Sequence, residues 1–385
     1  MSATSMKEGQ TMTKVLISGY YGFDNAGDDA VLYGIISSLK KIDPTIEISV
    51  LSNQVEETKK LFQIPAFDRW NIKEILKQIS KVDLVILGGG TLLQDRTSPR
   101  SPLYYLGITL LAKMLGKPVF YYGQGFGPIV HHTSKRMIRY IANRVDTITV
   151  RDQESGDEMK QYGILKAPIY VTADPALTIN PLEANFDEAR ELLRSYKVDL
   201  DKPIVFISVR NWKKENDFKN ELAIACDHLI QQGWQVVFIA MQNPHDITPS
   251  LDILLQMEEQ AVVIDKALNF KQLMSLIGLG NLVIGMRLHA VILSALMNVP
   301  FIALSYDPKI ERFAESLGKT SIASIENLSA AQLTNELDAL IRKLPSEKEK
   351  LQKQLKPIVK QALKSAELVY KVLDDKDKDK DKKKK

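Results

Sequence analysis

The sequence predicts an α/β protein with two Rossmann-like domains that face a cleft. Along most of the 385 residues, short apolar strands alternate with amphipathic helices, which is the pattern of parallel sheets with crossover helices. Two such series follow one another, and Asp174-Pro175 and Asn180-Pro181 interrupt the periodicity between them. The composition, 45% hydrophobic and 25% charged, fits a globular chain of about two domains.

Each series contains a regular set of short apolar runs that predict strands. In the first series the predicted strands are residues 15–19, 47–51, 84–87, 119–122, 147–150 and 169–172. In the second series they are residues 204–209, 235–240, 261–264, 282–284 and 301–304. After Ser329, a candidate helix N-cap, the remaining apolar residues recur with helical spacing.

These elements divide the chain into an N-terminal domain over residues 14–178 and a C-terminal domain over residues 179–345. A C-terminal helix is expected over residues 346–373. Disorder is expected for residues 1–13 and for the Lys/Asp repeat of residues 374–385, because such a composition cannot bury a core.

Composition also excludes several classes of protein. The net charge is only +4 and no basic stripe carries interleaved aromatic residues, which argues against nucleic acid as a partner. A single cysteine, Cys226, cannot form an internal disulfide and favours a reducing compartment such as the cytoplasm. We expect no signal peptide and no spanning helix, because no apolar tract is long enough. No spacing of His, Cys and Asp indicates a metal site.

The most informative motif lies where a strand ends in cations. The apolar residues Leu282–Gly285 run into Arg287, Leu288 and His289, from which the spacing becomes helical. Ligands bind at the C-terminal ends of such strands, and a helix N-terminus there offers free N–H groups. The motif predicts a pocket for a phosphate or carboxylate. The alternative is that Arg287 caps a neighbouring element and His289 is a hydrogen-bonded core histidine.

Further cations follow other predicted strands. Arg210 follows the first strand of the second series, and Lys309 follows its last strand. Both would join Arg287 at one sheet edge, where guanidinium groups suit carboxylate and phosphate recognition. Arg151 also ends a strand, but a surface ion pair with Asp152 or Glu154 explains it as well.

The first strand leads into a loop that is rich in glycine and acidic residues. Its glycines suggest a dinucleotide fingerprint, but three carboxylates would repel a pyrophosphate; they are Asp24, Asp28 and Asp29. We interpret Asn25 and Asp28 as groups that bind sugar hydroxyls, with Tyr20 or Tyr21 as a stacking surface. Helix capping by one of the aspartates is equally consistent, and both roles can coexist.

Two more glycine clusters end strands of the same sheet. Gly88-Gly89-Gly90 precedes Gln94 and Asp95, and a second cluster contains Gln124. Glycine lets a ligand approach the backbone closely. Amides and carboxylates at one sheet edge predict a neutral, polyhydroxylated ligand, although flexible turns without a ligand remain an alternative.

Together these motifs resemble the polysaccharide pyruvyl transferase family, and the likeness is greatest to its CsaB-type cell-wall pyruvyltransferases. The motifs are the loop of residues 19–29, the Gly88 cluster, Val150-Arg-Asp152, Ala173-Asp-Pro-Ala176 and Gly285-Met-Arg-Leu-His289. Each is weak alone, but their order along roughly residues 15–317 makes chance agreement improbable.

The resemblance implies a GT-B-like architecture and a defined reaction. Phosphoenolpyruvate would be the donor substrate, and no cofactor would be needed. The acceptor would be an undecaprenyl-diphosphate-linked disaccharide ending in N-acetylmannosamine, on which a 4,6-ketal forms in secondary cell wall polymer biosynthesis, as in S-layer anchoring.

The implied chemistry assigns roles to the candidate residues. Arg287 and Arg210, with Lys309, would hold the donor's phosphate and carboxylate, and His289 would donate a proton. Asp28 would accept the hydroxyl proton, with Asp24 and Asp95 as alternatives. The acceptor would contact Tyr20, Asn25, Asp28, Gly89, Gln94, Asp95 and Gln124.

Two functions of other classes stay open, together with a membrane contact. A nucleotide-sugar glycosyltransferase would share the fold, and a non-catalytic sugar-binding protein would share the polar loops. A lipid-linked acceptor would require docking on an anionic membrane at its inner face. The segment around Leu103–Leu106 with Arg96 and Arg100, and the helix with Lys135, Arg136, Arg139 and Arg144, are candidates; an ordinary core helix and a solvated surface explain them equally.

Overall fold

A computed structural model describes residues 12–95, 100–212, 217–318 and 325–384. Contacts divide it into two compact units. The first unit contains the described residues of 12–23, 32–174 and 363–384, and the second contains those of 24–31 and 175–362. The predicted disorder of residues 1–11 lies outside the described residues.

Residues 12–174 form eight strands and six helices. In chain order they are β1 (Lys14–Ser18), α1 (Ala26–Ile42), β2 (Glu47–Ser52), α2 (Val55–Phe62), β3 (Ala66–Asp68), α3 (Ile72–Lys81), β4 (Leu84–Leu87), β5 (Gly90–Leu93), α4 (Arg100–Met114), β6 (Val119–Phe126), α5 (His132–Ala142), β7 (Thr147–Val150), α6 (Gln153–Gln161) and β8 (Ile169–Val171). The strands form one parallel sheet in the order β3-β2-β1-β4-β6-β7-β8, and β5 pairs with β6.

The rest of the chain forms a second parallel sheet with its own helices. Its elements are α7 (Phe186–Ser195), β9 (Ile204–Ser208), α8 (Asp217–Gln231), β10 (Gln235–Ile239), α9 (Ile247–Leu254), β11 (Val262–Ile264), α10 (Phe270–Leu279), β12 (Leu282–Gly285), α11 (Leu288–Leu296), β13 (Phe301–Ala303), α12 (Pro308–Ser316), α13 (Ala330–Ile341) and α14 (Leu344–Lys384). The strand order is β11-β10-β9-β12-β13.

Local sequence explains where the helices begin and why the strands stay inside. The Asn71 side chain accepts the Glu74 N–H at 3.1 Å and caps α3, while Asn269 and Gln272 form a capping box at α10. The strands β4, β7, β9 and β12 are buried at every position, as expected for parallel sheets covered on both faces. The α/β class with two Rossmann-like sheets is therefore confirmed.

All eleven predicted strands are present, and every predicted end lies within four residues of the observed one. Two strands were missed. β3 has only three residues, and β5 follows directly after a run of glycines, so neither shows the apolar run that marks a strand.

The division of the chain differs from the predicted domains in three ways. The main segment of the first unit ends at Asp174 rather than at residue 178, and residues 363–384 of the C-terminal helix also belong to this unit. The loop and first turns of α1, residues 24–31, belong to the second unit. Helix α14 continues to Lys384 through the repeat for which disorder was expected, and there opposite charges recur at the i, i+3 spacing that supports helices.

Candidate active site

The three predicted cations follow neighbouring strands of the second sheet. Gly285 at the end of β12 pairs with Ser208 of β9 and with Ala303 of β13, so these strand ends are level. Arg210 lies two residues beyond Ser208, and Arg287 lies two residues beyond Gly285. Lys309 lies in the first turn of α12, the helix that follows β13. The structure therefore brings these side chains to one sheet edge, the edge at which ligands bind in such folds.

Arg287 is held by a carboxylate that sequence reasoning missed. Its Nε donates to both oxygens of Asp246 at 3.2 and 3.0 Å, and its Nη2 also contacts Asp246. The same Nη2 donates to the Gln242 Oε1 at 3.1 Å. Asp246 is fully buried, so the pair is shielded from water and its geometry is fixed. Arg287 can thus present its remaining Nη1 edge in a defined direction.

His289 packs against Gly27, which lies in the distant segment of residues 24–31 that includes the first turns of α1. A Cβ placed on Gly27 would lie 2.3 Å from the His289 Nδ1 and 2.7 Å from its Cγ. Real Cβ atoms do not approach so closely, so only glycine fits beside this ring. Gly27 therefore makes room for the His289 ring, whereas in the sequence it was one of the glycines that suggested a dinucleotide fingerprint.

The loop is tied to the second sheet by its backbone. The Ala26 N–H donates to the Met241 carbonyl at 2.9 Å, and Asn25 forms an antiparallel bridge with Gln242. The Asn25 Oδ1 also accepts the Gly27 N–H at 3.1 Å. These bonds place Asn25 and the start of α1 beside the Arg287 anchor, in the same unit as the cations.

Arg210 and Lys309 share one aromatic ring. The Arg210 Nη1 donates to the Tyr306 hydroxyl at 2.9 Å, and its guanidinium carbon lies 4.9 Å from the centre of the Tyr306 ring. The Lys309 Nζ lies 5.8 Å from the same centre and 3.3 Å from Asp307. Trp212 supports the ring at 4.9 Å. Tyr306 thus holds two cations near each other without neutralising them.

Two buried polar atoms at this edge lack hydrogen-bond partners within the described parts of the chain. They are the Arg210 Nε and the Ser208 Oγ. Buried donors without partners are costly in a folded protein and are characteristic of sites that await a ligand. An anion or a bound hydroxyl group would satisfy both atoms.

The start of α1 carries a carboxyl group with an altered acidity. Burial, and then the charges of Asp28 and Asp24, raise the pKa of Asp29 from 3.8 to about 7. A carboxyl with a pKa near neutrality can both give and take a proton under physiological conditions. The sequence predicted this role for Asp28. It could not single out Asp29, because the burial of a side chain cannot be read from composition.

Asp95 and Gln124 of the first unit are both buried, and the Asp95 carboxylate and the Gln124 amide nitrogen bond within the fold, while the Gln124 Oε1 has no partner among the described residues. The Asp95 oxygens accept the Val130 and His131 N–H groups at 2.6 and 3.0 Å, and these bonds, offset in part by burial, hold its pKa below the usual range. The Gln124 amide donates to the carbonyls of Leu87, Gly88 and Tyr122. We therefore leave both residues out of the proposed acceptor site.

The glycine clusters of the first unit also serve packing. A Cβ on Gly88 would lie 1.8 Å from the Tyr21 hydroxyl, and one on Gly125 would lie 2.6 Å from an Arg151 nitrogen. Arg151 is nearly buried and donates to Asp174 at 3.3 Å. Close side-chain packing thus accounts for these glycines without a ligand. The suggested pair of Arg151 with Asp152 is present at 3.7 Å beside the Asp174 pair, although both of its side chains are largely buried rather than at the surface.

The other predicted acceptor residues lie at the strand ends of the first sheet. Tyr20 is 37% exposed and stacks on Phe23 with ring centres 4.2 Å apart. Gly89 is buried between β4 and β5, and Gln94 follows β5 and is half-buried. Of these, Tyr20 offers an accessible aromatic face.

Asp246, Gln242 and Tyr306 bond to the arginines of the site, but the sequence did not identify them as site residues. Asp246 follows Asn243-Pro-His245 in a loop without periodicity, and its partner Arg287 lies 41 residues away. Only Tyr306, directly before the Asp-Pro-Lys turn, stands beside a residue that the sequence singled out.

The described residues contain neither a metal-binding cluster nor a membrane-spanning helix. Within the described ranges, no three or more His, Cys, Asp or Glu side chains are grouped so that they could hold a metal ion. Over the same residues, none of the helices is both long and apolar enough to cross a membrane.

Comparison with solved structures shows the fold. A structure described as a putative UDP-N-acetylglucosamine 2-epimerase from Listeria monocytogenes matches 94% of this chain and 95% of its own, with a TM-score of 0.65 and 15% identity. HepE of Anabaena, solved with UDP-glucose, matches 94% and 99%, with a TM-score of 0.65 and 12% identity. These likenesses confirm the GT-B-like architecture.

Sequence comparison shows the family. The amylovoran biosynthesis protein AmsJ of Erwinia amylovora is 23% identical over 368 residues, which cover 81% of this chain and 88% of AmsJ. The model of the polysaccharide pyruvyl transferase family matches residues 25–308, a span from the loop at Asn25 through the Arg287 and His289 motif. The chain belongs to the polysaccharide pyruvyl transferase family.

Proposed function

We propose that this protein transfers the pyruvyl group of phosphoenolpyruvate to a sugar and releases phosphate. The product is a 4,6-ketal on a terminal N-acetylmannosamine of an undecaprenyl-diphosphate-linked disaccharide, in secondary cell wall polymer biosynthesis. One observation carries the proposal: Arg210, Arg287 and Lys309 follow adjacent strands of one sheet, in the unit that also holds His289. Family membership supports pyruvyl transfer in polysaccharide biosynthesis.

The donor is a small molecule with two anionic groups, which suits this arrangement. Arg210 has a buried Nε without a partner in the described chain, and the Lys309 Nζ lies 5.8 Å from the centre of the Tyr306 ring that Arg210 also contacts. We assign the phosphate to these two cations and the carboxylate to Arg287, whose guanidinium Asp246 orients. Charge on the leaving phosphate is then stabilised by groups that need no rearrangement.

The reaction needs three proton movements and no redox step or cofactor. His289 donates a proton to the methylene carbon of the donor, and C2 becomes an oxocarbenium-like centre. One sugar hydroxyl adds to C2 and loses its proton. A second hydroxyl then displaces the phosphate, which leaves with that hydroxyl's proton, and the ring closes as a ketal.

The acceptor side of the proposal rests on the loop of residues 24–31. Asn25, Asp28 and Asp29 stand at the start of α1, and Asp29, with its pKa raised to about 7, can accept the proton of the first hydroxyl. Tyr20, in the first unit, offers an accessible aromatic face of the kind on which sugar rings stack. A lipid-linked acceptor places the enzyme in the cytoplasm, as a peripheral protein at the inner face of the membrane.

The decisive test measures inorganic phosphate released from phosphoenolpyruvate with and without acceptor. Phosphate release that requires acceptor, together with a product heavier by one pyruvyl ketal, is the expected result. Thermal unfolding with phosphoenolpyruvate or with a UDP-sugar tests the donor separately. Stabilisation by the UDP-sugar alone would overturn the proposal in favour of a glycosyltransferase, and no phosphate release with any acceptor would favour a sugar-binding protein.

A further inference from the structure

One long segment of the first unit carries no acidic residue. Between Asp95 and Asp146 the chain has no aspartate or glutamate, whereas a segment of this length would hold about six at the chain's average of 47 in 385 residues. The same segment holds eight basic residues, Arg96, Arg100, Lys113, Lys117, Lys135, Arg136, Arg139 and Arg144. Such an imbalance in a nearly neutral chain marks a surface that meets an anionic partner.

The described part of this segment contains α4, the buried strand β6 and α5, and the two helices pack against each other. On α5 the side chains of Arg136 and Arg139 are exposed, and so is that of Arg144 just beyond it. Lys113 pairs with Asp146 at 2.8 Å, and Lys117 and Lys135 are half-buried. Exposed positive charge therefore concentrates on and after α5.

The same two helices expose large apolar side chains. On and just after α4 these are Leu103, Leu110, Met114 and Leu115, with 42%, 40%, 74% and 43% of their surface exposed. On α5 they are Met137 and Tyr140, with 39% and 59% exposed. Residues 103, 110 and 114 recur with helical spacing on one side of α4, and a Cβ at Gly107, between them, would meet no atom within 4 Å.

We define the basic apolar face as the exposed residues Leu110, Met114, Met137, Tyr140, Arg136 and Arg144, which lie on or just after these two packed helices. Apolar side chains among exposed cations match the interfacial region of a bilayer, where acyl chains accept the former and anionic headgroups attract the latter. The structure corrects the sequence here: Tyr105 and Leu106 of the expected apolar segment are 1% and 0% exposed and belong to the core.

We propose that the basic apolar face docks on the surface of an anionic lipid bilayer. The inference rests on charge complementarity and exposed apolar area, and it holds whatever reaction the protein catalyses. Exposed apolar side chains alone would not indicate a lipid partner, and exposed cations alone would not indicate a membrane. Both features together on adjacent helices favour an anionic bilayer.

Co-sedimentation with vesicles tests the proposal. The full chain is mixed with phosphatidylglycerol vesicles or with phosphatidylcholine vesicles at about 0.05 M and about 0.5 M salt, which spans strong and weak screening. We expect binding to phosphatidylglycerol at low salt, much less at high salt, and little binding to phosphatidylcholine.

Two double variants separate the contributions of charge and of apolar contact to vesicle binding. Arg136→Glu with Arg144→Glu should weaken binding to phosphatidylglycerol at least about tenfold, because two attractive charges become repulsive. Leu110→Gln with Met114→Gln should weaken it about fivefold or more at unchanged charge. Matched controls are Lys353→Glu with Lys356→Glu, on an exposed part of α14, and Leu182→Gln with Leu255→Gln, whose side chains are 90% and 85% exposed.

The outcomes are distinct. Loss of binding in both face variants but in neither control supports the proposal, provided the variants keep the melting temperature of the parent. Absence of binding to phosphatidylglycerol at low salt, or equal binding by parent and face variants, would overturn it. Retention of a DNA duplex but not of vesicles would also overturn it and identify nucleic acid as the anionic partner. Phosphoenolpyruvate binding, measured by calorimetry, reports separately on the proposed function.

Discussion

The two sheets share one connectivity but differ in what their strand ends carry. In each, the first strand lies inside the sheet, the next two along the chain extend to one side, and the fourth pairs on its other side. In the first unit, Gln124, Asp95 and Arg151 are bonded within the fold. In the second unit, Arg210 keeps a buried donor without a partner in the described chain, and Arg287 is only oriented by its carboxylate.

This contrast shows that polar groups and glycines at strand ends are not by themselves evidence of a ligand. Gly88 makes room for Tyr21, and Gly125 makes room for Arg151. In the second unit Gly27 makes room for His289, so glycine has the same geometric role in both units. Buried polar atoms without partners among the described residues occur in both units, such as the Gln124 Oε1 and the Arg210 Nε. What separates the units is the partner of the cation at the strand end: Arg151 pairs with the Asp174 carboxylate, whereas Arg210 donates to the neutral Tyr306 hydroxyl.

The largest effect is expected at His289. His289→Ala should lower the rate of acceptor-dependent phosphate release about 100- to 10,000-fold, because the proton donor is lost. The matched control is His228→Ala, whose ring contacts Asp338 on α13 at 3.0 Å. A folded His289→Ala protein with near-native turnover would remove this residue from the chemistry.

A second prediction concerns the space beside that ring. Gly27→Ala should lower turnover about 10- to 100-fold, because the new Cβ would stand 2.3 Å from the His289 Nδ1 and must displace the ring. Gly107→Ala is the control, since its Cβ would meet nothing within 4 Å. Unchanged turnover in Gly27→Ala would mean that the position of His289 is not important for the reaction.

The buried pair of Asp246 and Arg287 gives the third prediction. Arg287→Ala should lower the free energy of unfolding by about 3–5 kcal/mol, because it leaves Asp246 buried without its cation. Adding Asp246→Ala should recover most of that loss in chemical denaturation but should not restore turnover. Recovery of both stability and turnover would show that the pair is structural and that the donor binds elsewhere.

A pH dependence is expected from Asp29. Its pKa is about 7 when folded and near 3.8 otherwise, so folding takes up a proton between these values and this group's contribution to stability falls as pH rises from about 4 to 7. Between pH 4 and pH 8 the free energy of unfolding of Asp29→Asn should therefore rise by about 2 kcal/mol relative to that of the parent. This value is discounted for the partial exposure of Asp29.

Thermal unfolding across that range checks the Asp29 prediction. The exposed Asp201→Asn variant is the control and should track the parent at every pH. If the difference between Asp29→Asn and its parent is the same at pH 4 and pH 8, the pKa of Asp29 is not raised.

The smallest effect on turnover is expected in the first unit. Gln124→Ala should change turnover less than about threefold while it lowers the free energy of unfolding by about 1–3 kcal/mol, because three backbone carbonyls lose their donor. Turnover and chemical denaturation are measured on the same preparation. A large fall in turnover without a loss of stability would return Gln124 to the acceptor site and weaken the contrast between the units.

The strands along the chain and the main cations could be predicted because they depend on local pattern. A buried run that ends in Arg287 and His289 is visible within ten residues, and parallel pairing places neighbouring strand ends together. The partners of these cations could not be predicted. Asp246 lies in a loop 41 residues before Arg287, and the raised pKa of Asp29 depends on burial by the folded chain.

The close approach of Gly27 and His289 has a consequence for how this sequence can diverge. The two positions lie 262 residues apart in the chain, yet a side chain at one leaves no room for the imidazole at the other. A relative with alanine or serine at the first position should therefore also differ at the second, by a smaller residue or by a shifted helix start. Paired substitution at these two positions would record the contact in sequences alone.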